Sequence, residues 1–354
     1  MDTATNSTEP DECRSLLVVS LLTRGSPAEV TGGHLYHRRM AEAAASRGAR
    51  IDFISTGARP PFRDAHGVVL VDSLAAWTVA PWTLAGQRPR GPLAAILHQP
   101  PGGIGQGPVR TKVQAPFDEA LYRRCDVLIA ASSALAHSLV DDYRLPAERV
   151  CVAEPGSDLP VDTKPAHHLR QGRRVAVLCV ANWLPNKGVL ELLDALAAVP
   201  ADHVTLHLAG RTDADVGYAA LVHARLREPD LAGRVIVHGV LDRDDVAALY
   251  AGADAFVLPS YVETYGTVFA EALSAGLPTV GWRSGNLPHL IDDGQQGCLV
   301  EPGDVAGLSN VLCRLATEDA WRESLANAAR RRGETLNTWN DTADAFFGAL
   351  SRLG

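Results

Sequence analysis

The sequence contains no long uninterrupted apolar run. Although 46% of its 354 residues are hydrophobic, no window approaches the roughly 20 apolar residues that a membrane-spanning helix needs. The first fourteen residues are polar and acidic, with no basic stretch ahead of an apolar one, so we expect a short disordered tail at residues 1–14 and not a signal peptide. We therefore expect no transmembrane segment and a cytoplasmic location, while peripheral contact with a membrane stays open.

An excess of positive charge is also absent. The chain carries 33 lysines and arginines against 41 aspartates and glutamates, which gives a formal net charge of −8. Because the phosphate backbone of a nucleic acid rewards a basic surface, we do not expect a nucleic-acid partner. Arginines nevertheless crowd the first third of the chain: Arg38, Arg39, Arg47, Arg50, Arg59 and Arg63. They form either a local basic patch or an ordinary solvated face.

Paired cysteines and metal-binding motifs are missing as well. The six cysteines lie far apart and form no C-x-x-C pair, so we expect free thiols, mostly buried. Asp213-Ala214-Asp215 begins a predicted helix and lacks the strand-end position of a metal-binding Asp-x-Asp motif. The sequence therefore predicts no metal site and no cofactor.

The chain alternates between short apolar runs rich in β-branched residues and amphipathic helical patterns. Such alternation is typical of a parallel sheet with helices on both faces. It breaks at residues 154–174, which hold three prolines and two glycines, and then restarts. Since 354 residues are too many for one ordinary core, we predict an α/β protein with two tandem Rossmann-like, doubly wound domains facing a cleft, at residues 15–165 and 166–336. The last segment, 337–354, predicts a helix with one apolar face that packs back on the first domain.

The periodicity predicts eight elements before the break and thirteen after it. Before the break they are Ser15–Thr23, Gly33–Arg47, Ile51–Ser55, Leu93–His98, Phe117–Arg124, Val127–Ala131, Ser133–Tyr143 and Val150–Ala153, after a terminal tail. After the break they are Val175–Val180, Gly188–Val199, Val204–Ala209, Asp215–Arg227, Val235–His238, Asp244–Ala251, Ala255–Leu258, Thr267–Ala275, Thr279–Gly281, Cys298–Val300, Asp304–Ala316, Ala320–Arg332 and Thr338–Leu353.

Two glutamates eight residues apart, Glu263 and Glu271, stand between a predicted strand and a predicted helix. If the helix begins near Tyr265, Glu263 lies in the loop ahead of it, and Glu271 lies one to two turns in, with its side chain tilted back. Both carboxylates then point to the helix N-terminus, whose free N–H groups attract anions. Gly266 has no side chain and lets a ligand approach that N-terminus closely.

Carboxylates beside an anion site need another role, because they repel phosphate. Hydroxyl groups fit that role: Glu271 can accept the hydroxyls of a ribose, and Glu263 can accept sugar hydroxyls or stabilise positive charge at an anomeric carbon. The alternative is that Glu263 caps the helix and Glu271 is a solvated helical residue.

Three further segments follow predicted strands. Asn182 and Lys187 lie between a strand and a helix, Thr31-Gly32-Gly33-His34 follows the first strand and opens a helix, and His98 ends the strand that begins at Leu93. Carboxyl ends of parallel strands are where open α/β sheets bind ligands. The alternatives are an exposed lysine at a helix start, an ordinary loop with two glycines, and a structural histidine.

From about residue 173 to 350 the sequence resembles the C-terminal domain of family-4 glycosyltransferases, which are retaining enzymes of the GT-B fold. Glu263 and Glu271 match the E-x7-E motif of that family. The similarity continues through three segments in the same order: residues 272–280, 285–288 and 297–304.

The resemblance also bears on the phosphate contacts. Lys187 matches the lysine of a family motif that looks like G-R-L-x-x-x-K-G, while Asn182 stands where the family has arginine. The resemblance therefore implies one fixed side-chain cation on the donor diphosphate instead of two. Gly32 and Gly33 resemble the glycine-rich loop that approaches the diphosphate and acceptor, and His98 resembles a histidine in contact with sugar or acceptor.

The resemblance implies a retaining, metal-independent glycosyltransferase that moves a sugar from a UDP- or GDP-linked donor to a small-molecule, lipid or polysaccharide acceptor. The acceptor is then expected on the first domain and the nucleotide sugar on the second. The implied catalytic residues are Glu263, His98 and Lys187. The implied donor contacts are Gly32, Gly33, Asn182, Lys187, Gly239, Glu263, Thr264, Tyr265, Gly266, Thr267 and Glu271. Two alternatives stay open: a GT-B sugar-nucleotide epimerase or phosphorylase, and a non-catalytic nucleotide-binding subunit, which the Asn182 departure favours.

Overall fold

Two six-stranded parallel sheets, each with helices on both faces, make up the protein. The computed structural model describes residues 16–24, 32–57, 61–104, 108–157, 159 and 163–353. The predicted tail at residues 1–14 lies outside the described residues. The predicted fold class, two Rossmann-like α/β domains, is confirmed.

The first sheet is built from the strands that precede the break in periodicity. Its strands are β1 Leu17–Thr23, β2 Ala49–Ser55, β3 Val68–Asp72, β4 Leu93–Leu97, β5 Val127–Ala130 and β6 Val150–Val152. Its helices are α1 Gly32–Ala44, α2 Ala76–Leu84, α3 Pro108–Tyr122 and α4 Ser133–Asp141. The strand order is β2-β1-β3-β4-β5-β6, so the connections change direction between β1 and β3, and that reversal opens a crevice at the carboxyl edge.

Two elements of the first domain are absent from the sequence-based prediction. The strand β3, with sequence VVLVD, is buried along its whole length, and a run of four apolar residues is ambiguous between strand and helix. The helix α2 contains Pro81, which normally marks a helix boundary. The helix α3 begins at Pro108, nine residues before the predicted Phe117, and holds Pro116.

The second sheet follows the predicted pattern more closely. Its strands are β7 Val175–Val180, β8 Val204–Ala209, β9 Val235–Gly239, β10 Ala255–Leu258, β11 Thr279–Trp282 and β12 Gly297–Val300. Its helices are α5 Val189–Ala197, α6 Val216–Leu226, α7 Arg243–Gly252, α8 Thr267–Ser274, α9 Leu287–Leu290, α10 Val305–Thr317 and α11 Asp319–Gly333. The strand order β12-β11-β10-β7-β8-β9 reverses between β7 and β10, as in dinucleotide-binding sheets.

The last helix, α12 Trp339–Leu350, packs on the first sheet. A capping box between Thr338 and Asp341 starts it. Phe346 and Leu350 are buried in the same cluster as Val19 of β1. The helix therefore covers one face of the first domain, although it stands at the far end of the sequence.

The two domains meet near the carboxyl edges of their sheets. The Ala134 N–H at the start of α4 donates to Asn286 Oδ1 across the boundary at 3.4 Å, and the ring of His137 stacks on that of His289 with centroids 5.8 Å apart. No helix in the part of the chain that the structure describes has both the length and the apolar character needed to cross a bilayer.

Candidate functional site

The central contact of the second domain is an ion pair between Lys187 and Glu263. Lys187 Nζ donates to Glu263 Oε1, and only 20% and 14% of the two side chains are exposed. Lys187 ends a short 3-10 turn after β7, whereas Glu263 lies in the loop after β10. The two strands are hydrogen-bonded neighbours at the reversal of strand order, so both side chains belong to the carboxyl edge of the sheet.

Close backbone packing brings these two loops together. Gly188 has a left-handed φ of 68°, and a Cβ there would stand 2.1 Å from the carbonyl oxygen of Pro259. The Tyr261 N–H donates to the Asn186 carbonyl at 2.8 Å, and the Ser260 hydroxyl donates to the same oxygen at 3.0 Å. Because Gly188 lets the chains touch, the adjacent Lys187 reaches the loop that carries Glu263.

A third loop, after β11, holds the backbone of Glu263. Gly285 has a φ of 57°, and a Cβ at this residue would stand 2.4 Å from Glu263 O. The Asn286 N–H donates to that same oxygen at 3.0 Å, and Asn286 Nδ2 donates to Tyr265 O at 3.1 Å. Three loops from neighbouring strands thus fix the position of Glu263.

The helix α8 starts at Thr267, where the periodicity predicts it. Its N-cap is Gly266, with a left-handed φ of 81° and no side-chain hydrogen bond to the first turn. The first turn therefore keeps N–H groups without a side-chain cap, which is the arrangement that binds anions. Glu263 does not cap this helix, which excludes that part of the alternative interpretation.

Glu271 is partly buried and is not a solvated helical residue. Its Oε2 accepts the hydroxyl of Tyr250 at 3.2 Å. Burial raises the pKa of Glu271 to about 7, although the Tyr250 hydroxyl and the Arg243 charge act in the opposite direction. Burial lowers the pKa of Arg243, as do the charges of Arg39 and Arg38. Since Arg38 and Arg39 belong to α1, the first domain brings positive charge close to Arg243, whose charge in turn acts on Glu271.

Asn182 is exposed and joins the ends of two strands. Its Oδ1 accepts the backbone N–H of Arg211 at 3.0 Å, and the Trp183 N–H donates to the Arg211 carbonyl at 2.8 Å. The Arg211 side chain pairs with Asp213 at 3.2 Å. The side-chain oxygen of Asn182 is therefore engaged within the protein, and Asn182 adds no charge to this edge.

The remaining predicted donor contacts of the second domain differ in their exposure. Gly239 ends β9, with a φ of 68° and open space around its missing Cβ. Thr264 and Thr267 are half-buried in the loop and at the helix start. The side chain of Tyr265 is 5% exposed and lies in the hydrophobic core, so a ligand at residue 265 would meet its backbone. These assignments as donor contacts stay predictions.

In the first domain, Gly33 and His98 lie against each other. A Cβ on Gly33 would stand 3.5 Å from Cδ2 of His98, so the first turn of α1 packs on the imidazole at Gly33. Burial, with a further contribution from His37, lowers the pKa of His98 to about 3. His98 is therefore neutral at physiological pH, which suits it to a hydrogen bond or a metal bond and not to a charge contact.

The structure adds two residues that the sequence analysis misses, His37 on α1 and Asp72 at the end of β3. His37 Nε2 lies 3.2 Å from Asp72 Oδ2, and 2% and 0% of the side chains are exposed. The rings of His37 and His98 meet edge to face with centroids 4.9 Å apart. Position is the only signal for them in the sequence: His37 lies one turn after the Gly-Gly pair, and Asp72 lies at the end of a buried strand.

The protein has two doubly wound domains that face each other at the carboxyl edges of their sheets. An ion pair and a helix N-terminus lie where the strand order of the second sheet reverses. This arrangement defines a protein of the GT-B class. Residues 174–318 match the family model described as Glycosyl transferases group 1. The matched segment contains all six strands of the second sheet, so the second domain is similar to this family.

Proteins of known sequence and structure agree with this assignment. The chain is 32% identical over 231 residues to an MMP α-(1→4)-mannosyltransferase from Mycolicibacterium hassiacum, covering 64% of this chain and 54% of that protein. The chain spans about half the length of the curated relatives it matches.

Solved structures with low sequence identity share the fold. Sucrose-phosphate synthase from Thermosynechococcus elongatus superposes with a TM-score of 0.77 at 21% identity, covering 95% of this chain and 98% of that one. HepE from Anabaena, solved in complex with UDP-glucose, gives a TM-score of 0.77 at 20% identity over 95% of this chain and 100% of that one.

Proposed function

We propose that the protein is a retaining glycosyltransferase that moves a sugar from a nucleotide diphosphate to an acceptor. The observation that carries this proposal is the Lys187–Glu263 ion pair beside the uncapped N-terminus of α8. A purely structural loop has no need of a mostly buried lysine and carboxylate at the edge of the sheet where such folds bind ligands.

In this proposal the ion pair is the resting state of the donor site. When a nucleotide diphosphate arrives, its phosphates compete for Lys187 and occupy the N–H groups at the start of α8, where the helix dipole favours negative charge. Glu263 is then released to accept hydroxyls of the sugar. Its backbone stays fixed by Gly285 and Asn286, so only the partner of the carboxylate changes.

Glu271 is assigned to the ribose of the nucleotide. A carboxylate can accept two hydroxyls at once, and charge-assisted bonds of this kind are about twice as strong as neutral ones. Tyr250 holds one oxygen of Glu271 from behind, which orients the carboxylate before a ligand arrives. Arg243 supplies positive charge that favours its ionised form.

The transfer step breaks the bond between the anomeric carbon and the phosphate oxygen and forms one to the acceptor oxygen on the same face. The departing phosphate takes the acceptor proton, so no separate protein base is required. Glu263 and the neighbouring backbone stabilise the oxocarbenium-like charge, while Lys187 and α8 stabilise the leaving phosphate. This assignment requires no metal ion at the donor diphosphate.

The first donors to test are UDP-linked, because HepE was solved with UDP-glucose, and mannose-linked, because one relative is a mannosyltransferase. The decisive experiment incubates the purified chain with a panel of UDP-, GDP- and ADP-sugars, with and without small-molecule, lipid and oligosaccharide acceptors. We expect nucleotide release from one donor class and a product whose anomeric configuration, read by NMR, equals that of the donor. Inversion of configuration would overturn the retaining assignment.

A non-catalytic nucleotide-binding subunit is the second candidate, because Asn182 supplies no charge and its oxygen is engaged with Arg211. The same panel separates the two: tight nucleotide binding without sugar release favours the subunit. Formation of a sugar phosphate from the oligosaccharide when inorganic phosphate is added would instead indicate a phosphorylase, and an altered sugar on the same nucleotide would indicate an epimerase.

A further inference from the structure

An exposed apolar surface covers the outer side of α2 and α3 in the first domain. Among the described residues, twelve large hydrophobic side chains are exposed, and five of them lie on these two helices. They are Trp77, Leu84, Val109, Val113 and Phe117. Single exposed apolar residues are ordinary, but a contiguous patch usually marks an interaction site. We call this group of five side chains the α2–α3 surface.

The five side chains form one stripe because the two helices pack side by side. The rings of Trp77 and Phe117 meet edge to face with centroids 5.4 Å apart. Each helix returns from one parallel strand to the next, so α2 and α3 run in the same direction. At 1.5 Å per residue, Val109 lies about 12 Å before Phe117, and Leu84 lies about 10 Å beyond Trp77. The stripe is therefore roughly 20 Å long.

On α3 the apolar residues of the stripe face away from the sheet. Val109 and Val113 are 75% and 54% exposed, whereas Gln114 and Leu121 of the same helix are buried. At 100° per residue, Val109, Val113 and Phe117 fall within about 80° of one another. A surface helix normally carries polar residues on that side, so packing within this chain does not explain the stripe.

The charged residues around the α2–α3 surface are mostly basic. The helix α2 has no charged residue, and residues 108–117 of α3 have no acidic one. Arg110 and Lys112 are exposed on the two sides of the α3 stripe. At the opposite end, a cavity of about 390 Å³ next to the last turn of α2 has these charged lining residues: Arg88, Arg123, Arg124 and Asp126. Since the whole chain carries a net charge of −8, this basic rim is a local feature.

A second copy of this chain does not fit the α2–α3 surface. A two-fold interface sets the same patch of both copies face to face. Arg110 and Lys112 of one copy would then lie near those of the other, and the stripe offers no acidic residue to pair with them. Like charges brought together in an interface are costly. The occupant that fits is apolar inside and negative at its surface, which describes a bilayer with anionic lipids.

We propose that the α2–α3 surface binds the protein peripherally to membranes that contain anionic lipids. Trp77 and Phe117 lie at the headgroup boundary, which aromatic rings favour. Val109 and Val113 enter the acyl boundary to the depth of about 5–10 Å that is typical of interfacial helices. The basic rim meets the lipid phosphates. This binding goes beyond the proposed function and does not depend on it.

The stripe ends near the carboxyl edge of the first sheet. A Cβ on Gly102 would stand 2.8 Å from Cγ2 of Thr111 and 3.1 Å from Cβ of Ala115, so the first turns of α3 lie against the turn that follows β4. Val109, two residues before Thr111, is therefore at the cleft end of the stripe. A bilayer bound to the α2–α3 surface lies beside the cleft and not at the opposite edge of the sheet.

The first test is co-sedimentation of the full chain, without nucleotide, with vesicles of phosphatidylcholine alone or in equal parts with phosphatidylglycerol. We expect binding to the mixed vesicles only, and weaker binding as salt is added. Val113→Glu should lower the partition coefficient by about 10-fold or more, because it replaces apolar contact with negative charge. The matched control is Leu221→Glu on α6, which is 58% exposed and should bind as the unaltered protein does.

A second pair of variants tests the basic rim. Arg110→Gln and Lys112→Gln together should lower the partition coefficient into mixed vesicles by about 25-fold, since each basic side chain near an anionic surface contributes roughly a factor of 5. The control changes the net charge equally through two exposed arginines of the second domain, Arg227→Gln and Arg331→Gln. It should lower the partition coefficient far less. Thermal unfolding of every variant checks that it is folded.

Tryptophan fluorescence shows which side of the molecule meets the bilayer. Vesicles with brominated acyl chains should quench the protein, and Trp77→Phe, which keeps an aromatic ring against Phe117, should remove most of that quenching. Quenching that survives in Trp77→Phe would place another surface in the bilayer and overturn the proposal. Absence of binding to mixed vesicles, or equal binding of the unaltered protein, Val113→Glu and the Arg110–Lys112 variant, would overturn it too. A concentration-dependent dimer that Val113→Glu abolishes would then assign the surface to a second copy.

Discussion

Gly188 lies so close to Pro259 that a Cβ at residue 188 would stand 2.1 Å from the Pro259 carbonyl oxygen. This contact joins the loops after β7 and β10, which carry Lys187 and Glu263 respectively. The alignment of the two charged side chains therefore depends on a residue that has no side chain.

Gly188→Ala is expected to separate the loops, weaken the Lys187–Glu263 pair and destabilise the protein by more than about 1 kcal/mol, because it combines a clash with a left-handed φ. Thermal unfolding measures the effect. The matched control is Gly48→Ala, which has a φ of 64° and nothing within 4 Å of the added atom. An equal loss of stability in both variants would mean that backbone strain, and not the Pro259 contact, is responsible.

Lys187→Ala is expected to reduce turnover by about 100- to 1000-fold, as loss of one preorganised stabiliser of a leaving group typically does. Asn182→Ala should have a smaller effect, because it removes only an oxygen that accepts the Arg211 N–H. Asn182→Arg should be tolerated and should tighten donor binding. Steady-state kinetics with the preferred donor shows which of the variants loses more turnover. Near-normal turnover of Lys187→Ala with collapse of Asn182→Ala would place the phosphates elsewhere, for example on Arg38, Arg39 or Arg243.

Glu271→Ala is expected to weaken nucleotide binding by roughly 1.5–3 kcal/mol, through loss of charge-assisted hydrogen bonds to the ribose. Calorimetry with the free nucleotide measures this directly. Glu334→Ala, which removes an exposed glutamate of the same type, serves as the control and should leave the affinity unchanged. Unaltered affinity in a folded Glu271→Ala variant would remove Glu271 from the nucleotide site.

The stability of the ligand-free protein should depend on pH through Glu271. Its pKa in the folded state is about 7, above the ordinary value of 4.5, so the folded state holds the proton longer than the unfolded state does. This group therefore lowers stability as pH rises from about 4.5 to 7, and its penalty is complete above that range. Glu271→Gln should accordingly raise the unfolding temperature relative to the unaltered protein at pH 8 and have little such effect at pH 4.5. A constant difference at both pH values would contradict the assigned pKa.

Excess EDTA is expected to leave turnover at 25 °C essentially unchanged, because Lys187 and the N-terminus of α8 supply the positive field at the donor phosphates. Complete loss of activity that manganese restores and zinc does not would place a metal ion at the donor diphosphate instead.

Sequence periodicity was most informative in the second domain. The bounds of β7, β8 and β10 agree with the prediction residue for residue. The strands β7 and β10 are continuous apolar runs, β8 alternates between apolar and polar residues, and each strand has a clear break on either side. In the first domain the short strand β3 and the proline-containing α2 carry no such signal. Since Asp72 ends β3, the His37–Asp72–His98 cluster could not be foreseen without that strand.

Contacts distant in sequence explain the rest of the difference. Glu263 and Glu271 were identified from their spacing, but the partner of each depends on tertiary packing: Lys187 stands 76 residues before Glu263, and Tyr250 stands 21 before Glu271. Tyr265 looks like a loop residue in the sequence, yet its ring is in the core. Side-chain direction in a loop is fixed by its neighbours, which periodicity does not describe.

The position of α12 has a consequence for biosynthesis. Val19 of β1 leaves the ribosome before the second domain does, but its cluster is completed by Phe346 and Leu350, which follow the second domain. Translation at about 5–20 residues per second therefore leaves one face of the first sheet uncovered for many seconds. The second domain can complete its own core in that interval, so the domain that is made first is the last to reach its final packing.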